Sequence, residues 1–158
     1  MRCLIVGCGC RGLALARKLQ QDGHAVRGTT RDPDRGEVIE AAGVEPFIGD
    51  PDRVGTIVPA LQHVGVICLL LGTAVGDVSS LHGSRLEMLL GKLLDTTVRG
   101  VVYEAAGTVP SDVLGRGAER VRAVCESSRI PFALLDADPS DHRAWLEGAQ
   151  GAVDSVLK

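Results

Sequence analysis

The chain has 158 residues, enough for one domain with one substantial core. A formal net charge of −3 gives no general attraction to nucleic acid or anionic lipid, and no apolar run reaches the roughly 18 residues that span a bilayer. At 45% hydrophobic and only 3% aromatic, the core must be built from Val, Leu, Ile and Ala, as in a parallel sheet under helices.

RCLIV (2–6) reads as a short apolar strand that ends in glycines. RGLALARKLQQDG (11–23) reads as a helix closed by Gly23. AVRGTT (25–30) is a second strand, PDRGEVIEAAG (33–43) a short weak helix, and VEPFIGD (44–50) a third strand. Pro46 puts that third strand at a sheet edge. VGTIVPAL (54–61) predicts a brief helical turn interrupted by Pro59. VGVICLLLG (64–72) lacks alternation, so it is expected to be a central strand covered on both faces.

Leu86, Leu89, Leu90, Leu93 and Leu94 recur at helical spacing and predict an amphipathic helix over 84–95. RGVVYEAAG (99–107) follows as a fifth strand, then a helix over about 114–128 with Ala118, Val121, Cys125 and Ser128 on one face. PFALLDA (131–137) is a sixth strand. A last helix, 141–157, carries the stripe Trp145, Leu146, Ala149, Ala152, Val153 and Val156. This alternation, with no linker or low-complexity tract, predicts one α/β domain over 1–158: a doubly wound Rossmann fold. Its six parallel strands would run in the order 3-2-1-4-5-6, with helices on both faces.

Gly7-x-Gly9-x-x-Gly12 falls between the first strand and the first helix. There the first glycine permits a tight turn, the second admits a pyrophosphate close to the backbone, and the third lets helix and strand pack together. The helix N-terminus then offers free N–H groups and partial positive charge to phosphate. In that context the spacing points to dinucleotide binding, with Gly7, Cys8, Gly9, Cys10, Arg11 and Gly12 as the cradle.

The cysteines do not form a metal or redox centre of their own. Cys8 and Cys10 are one residue apart, no second pair follows, and His24, His63, His82 and His142 are scattered. A redox motif would place two residues between them. Five cysteines is an odd number, which fits reduced thiols in a cytoplasmic protein better than a disulfide framework. MRCLIVGCGC starts like a signal peptide but breaks into glycines too early.

The second strand closes with Thr29, Thr30 and Arg31, where an NAD-selective site places an acidic residue for the ribose 2′-hydroxyl. A guanidinium and hydroxyls suit a 2′-phosphate, which favours NADP while leaving NAD open. Asp32 comes late and precedes Pro33. Asp50 ends the third strand, placed either to accept from an adenine amino group or to cap the next turn. Leu71, Gly72 and Thr73 follow the fourth strand at the carboxyl edge, where ligands lie.

With these residues in hand, VGCGCRG…GHAVRGTTRDP…GVEPFIGD resembles the NAD(P)-binding half of atypical extended short-chain dehydrogenase/reductases, the epimerase-like and NmrA-like proteins. RGVVYEAAGTVP and ERVRAVCESSRIPFALLDADP are similar to that family's fifth strand, sixth helix and sixth strand. The resemblance covers nearly the whole chain and implies a Rossmann fold, NADP or NAD, and oxidoreductase or isomerase chemistry on a small substrate. The family's catalytic residues do not carry over. Ala105 and Ala106 stand where its serine would fall, and Tyr103 is followed four residues on by Gly107, not by lysine. Lys18, Lys92 and Lys158 all lie elsewhere, and the family's substrate lobe has no counterpart after the last strand. Thr108 and Ser111 offer hydroxyls without a visible base. Glu104 and Asp136 read as structural acids before proton carriers.

Three functions compete. The first is an NADP-binding protein of this family that is degenerate or leaves chemistry to a partner. The second is a nucleotide-sensing module resembling potassium-channel regulatory domains, against which the Thr-Thr-Arg ending counts. The third is a small NADP-dependent oxidoreductase that uses other residues. An apolar face left by the absent lobe would let two chains, or a chain and a partner protein, associate.

Overall fold

The strands bury both of their faces, and that decides the layering. Leu4, Val6, Ile67, Leu69, Val101 and Tyr103 enter one core, while Cys3, Ile5, Val66, Cys68 and Val102 enter the other. Neighbours in sequence thus point to opposite sides of the sheet. The computed structural model describes all 158 residues. Its strands are β1 (Arg2–Val6), β2 (Ala25–Thr30), β3 (Glu45–Ile48), β4 (Val66–Leu69), β5 (Gly100–Glu104) and β6 (Phe132–Leu135). They form one parallel sheet in the order β3-β2-β1-β4-β5-β6. That is the doubly wound order expected from the alternation of elements.

The helices are α1 (Cys10–Gln21), α2 (Pro33–Ala41), α3 (Val54–Ile57), α4 (Val78–Leu81), α5 (Ser84–Leu93), α6 (Ser111–Ser128) and α7 (His142–Val156). A 3-10 turn, Val58–Leu61, extends α3 at Pro59. Leu15, Ala16 and Leu19 of α1, Ile39 of α2 and the buried stripe of α7 cover the Cys3/Ile5 face. α5 and α6, with α3 and its 3-10 turn, cover the other. The low aromatic content is used sparingly: Trp145 and Tyr103 are the largest fully buried side chains, one on each face.

Boundaries differ from expectation where the sequence signal continues past the ladder. The apolar run 64–72 pairs only over Val66–Leu69, because Leu70 and Leu71 already turn into the crevice. α6 begins at Ser111, three residues before the apolar pattern starts, directly after Pro110. Leu94 does not join the buried stripe of α5: it sits at the helix end and is half exposed. Likewise Ser128 ends α6 at the surface. β3 is an edge strand, as Pro46 requires. No helix is long and apolar enough to cross a membrane.

Candidate functional site

The chain leaves β1 toward β2 and β3 on one side, and returns through β4 toward β5 and β6 on the other. This reversal opens a crevice at the carboxyl ends of the strands. A cleft of about 450 Å3 occupies it. It brings together most of the residues expected from the sequence: Gly7, Cys8, Gly9, Cys10, Arg11 and Gly12 from the β1–α1 turn, Thr29 and Thr30 from the end of β2 with Arg31 just after it, Asp50 after β3, and Leu71 and Thr73 after β4. Gly72 is buried behind this wall and does not line the cleft.

The turn is built by local constraints. Gly7 has φ +84°, and a Cβ there would stand 2.6 Å from the Leu70 carbonyl oxygen, so only glycine fits. The Gly7 N–H donates to Thr29 Oγ1 (3.3 Å), and the Cys8 N–H donates to the Thr29 carbonyl (3.1 Å). Thr29 is itself buried, so its role here is to hold the turn. Cys8 points inward and rests on Gly28, where a Cβ would lie 2.6 Å from its sulfur. Burial pushes the Cys8 thiol up to about 11, with Arg35 acting weakly in the opposite sense. It is a small filler, and no group of three or more metal-ligating residues exists in the chain. Cys10 is exposed at the mouth.

Gly9 is the N-cap of α1, and no side chain caps the helix. The first-turn N–H groups are therefore left to solvent or a ligand, with no acidic residue beside them. A Cβ on Gly9 would meet nothing within 4 Å, so the cradle is open.

Two cations face this opening with different freedom. Arg31 is exposed and pairs with no carboxylate. Arg35, which sequence reasoning missed, also lines the cleft and donates from Nη2 to the Cys8 carbonyl (3.3 Å). Asp32 is the N-cap of α2 and accepts from the Asp34 N–H (2.9 Å). Pro33 follows at the start of the helix, which puts Arg35 in the first turn, beside the loop. The cap and proline were the signal that could have located Arg35.

Arg11 lines the cleft but is engaged elsewhere. Its guanidinium forms an ion pair with fully buried Glu104 and donates from Nη2 to Thr73 Oγ1 (3.0 Å). The group lies 4.9 Å over the Trp145 ring. Glu104 also accepts from the Gly72 N–H (2.8 Å) and from Trp145 Nε1 (2.8 Å). Every donor around it is matched, so Glu104 is a structural acid. Asp136 is exposed and lies outside the cleft. Asp50 lines the cleft while its Oδ1 accepts from the Asp52 N–H (2.9 Å), the turn-capping arrangement.

Behind the wall, His82 Nε2 lies 2.9 Å from the Leu71 carbonyl and Nδ1 lies 2.6 Å from Tyr103 Oη. A carbonyl can only accept, so Nε2 carries the proton and Nδ1 accepts from the tyrosine hydroxyl. Desolvation lowers the His82 pKa below its usual 6.5, outweighing the Leu71 contact and the Glu104 charge. Burial raises that of Tyr103. The only tyrosine is therefore a packing and hydrogen-bonding residue beneath Leu71.

No family model and no curated protein matches this sequence. Solved structures share its fold. Citrobacter sp. triphenylmethane reductase complexed with NADP(H) superposes with a TM-score of 0.68 at 16% identity, over 86% of this chain and 49% of that one. Bacillus cereus UDP-glucuronic acid 4-epimerase in complex with NAD gives 0.67 at 14%, over 87% and 56%. A short-chain dehydrogenase/reductase superfamily protein from Agrobacterium tumefaciens with bound NAD gives 0.69 at 19%, over 86% and 48%. The present chain thus spans about half the length of each. At these identities the likeness establishes the fold.

Proposed function

We propose that the chain binds a nicotinamide adenine dinucleotide at this crevice, NADP in preference to NAD. Similarity to folds whose solved members carry NADP(H) or NAD supports the ligand class. The observation that carries the reading is the open cradle: an uncapped α1 N-terminus with free space above Gly9, beside an unpaired arginine. In it, Cys10, Arg11 and Gly12 would meet the pyrophosphate through their N–H groups, while Gly9, whose own N–H donates to the Gly7 carbonyl (2.9 Å), leaves the backbone open to its approach. Arg31 and Arg35 would meet a 2′-phosphate where a carboxylate would repel it. Asp32, next to Arg31 in the sequence, is committed to capping α2. The bound cofactor would supply hydride chemistry.

The chain acts first as a binding protein in this reading, with chemistry left to a partner or to a substrate-bearing segment. The hydroxyls and acids after β5 do not join the cleft, and Tyr103 is turned into the core.

Thermal unfolding tests the proposal directly. A ligand at about 100 times its Kd stabilises by about 2.7 kcal/mol, a rise of roughly 5–10 °C for a chain of this size. NADP is expected to give that rise at a lower concentration than NAD. If neither moves Tm at about 1 mM, where any Kd below that value would register, the nucleotide reading is wrong.

A further inference from the structure

The cleft is one-sided. Its lining comes from the β1–α1 turn, the ends of β2 and β3, Arg35 of α2, and the segment after β4 that leads through Val75 to Leu81. No residue from the ends of β5 or β6 contributes. A dinucleotide laid across the strand-order reversal would need both sides: its adenosine half over β2 and β3, its other half over β4, β5 and β6.

On that second side the loops close on each other. Gly72, after β4, lies so near the loop after β5 that a Cβ would overlap the Ala106 carbonyl. A Cβ on Gly107 would overlap the Gly72 carbonyl in turn. The Val109 N–H donates to that same Gly72 carbonyl (3.0 Å), while the Gly72 N–H donates to Glu104. Two backbone loops are thus zipped together on the β4/β5 side of the reversal.

The Arg11 side chain bars the way along the remaining edge. It runs from the glycine turn to Glu104 at the end of β5, touches Thr73, and stacks on Trp145 from α7. Glu104 is fully buried and accepts from three residues, Arg11, Gly72 and Trp145, so this bar is anchored in the core. Removing Arg11 from it would strand a buried carboxylate.

Resting on the nucleotide reading above, we propose that the crevice is a half-site. It seats the adenosine end of the ligand and its phosphates, and builds no seat for the nicotinamide ring. The ligand class it recognises is an adenosine carrying phosphates at the 5′ and 2′ positions. The chain then reads the amount of phosphorylated dinucleotide and not its redox state, because the ring that is oxidised or reduced makes no contact that distinguishes the two.

Calorimetric titration of the intact chain with separate fragments tests this. 2′-Phospho-ADP-ribose, which keeps the whole pyrophosphate and lacks only the nicotinamide, is expected to bind with a Kd within about threefold of those of NADP+ and NADPH, and nicotinamide mononucleotide to show no heat at about 5 mM. Arg31→Ala is expected to weaken 2′-phospho-ADP-ribose and NADP+ by the same factor, as both are read by the same half. The half-site is overturned if NADP+ or NADPH binds more than about threefold more tightly than 2′-phospho-ADP-ribose, or if nicotinamide mononucleotide binds by itself. Such a result leaves the nucleotide reading standing. Absence of binding by all four compounds overturns both.

Discussion

Gly9→Ala separates the fold of the glycine turn from its use. Gly9 has φ −89°, an ordinary value for any residue, and an added Cβ would meet nothing within 4 Å. The cost to folding is that of an alanine N-cap in place of glycine, below about 1 kcal/mol, or less than roughly 3 °C in Tm. The methyl group would instead stand in the space where a phosphate approaches the first-turn N–H groups. Hydrogen bonds to a charged phosphate are worth about 1.5–3 kcal/mol each, so losing one weakens binding by roughly 10- to 100-fold. Gly7→Ala is the opposite case. With φ +84° and a Cβ 2.6 Å from the Leu70 carbonyl, it should cost about 2 kcal/mol or more in stability. Urea unfolding and NADP+ titration of both variants give the comparison. A Gly9→Ala chain that folds normally and binds NADP+ with unchanged Kd would refute the assignment of this turn as a phosphate cradle.

Three further outcomes follow from the same geometry. Arg31→Asp replaces an unpaired cation by an anion, so NADPH binding should fall about tenfold or more while NADH changes little; equal loss of both would remove the 2′-phosphate contact. Glu104→Gln leaves Arg11 without its charge partner and one donor of the buried set unmatched, which should cost about 2–4 kcal/mol in urea unfolding; a loss below about 0.5 kcal/mol would contradict a core anchor there. His82 titrates below 6.5 in the folded chain, so the unfolded chain binds more protons as the pH drops. Its contribution is whole above pH 6.5 and is lost as the pH falls through the lower folded value, by at most about 1.4 kcal/mol per pH unit. His82→Gln should flatten that slope between pH 7 and 5, and an identical slope in both proteins would locate the titration elsewhere.

How much of this could be read in the sequence depends on the range of the interaction. The strand–helix alternation, Pro46 at the edge and the glycine spacing are local signals, and they lead directly to the sheet order and the crevice. Arg35 has only the Asp32–Pro33 start of α2 to betray it, since a charge on a weak helix reads as solvated surface. α4 is four residues long, too short for any period to register, yet it brings Leu81 to the cleft. The Arg11–Glu104–Trp145 arrangement joins residues 93 and 41 positions apart, so no window of sequence contains it. The same holds for His82 beneath Leu71: a lone histidine in the sequence gains its tautomer from the Leu71 carbonyl and its lowered pKa from burial.

Amide chemical-shift mapping with NADP+ tests the central claim most directly. Saturable shifts concentrated on Gly9, Cys10, Arg11, Gly12 and Arg31 are predicted, with His63 and Thr96, before the amino-terminal ends of β4 and β5, unmoved. Saturation without shifts in the glycine turn, or no shifts at about 1 mM NADP+, would contradict it.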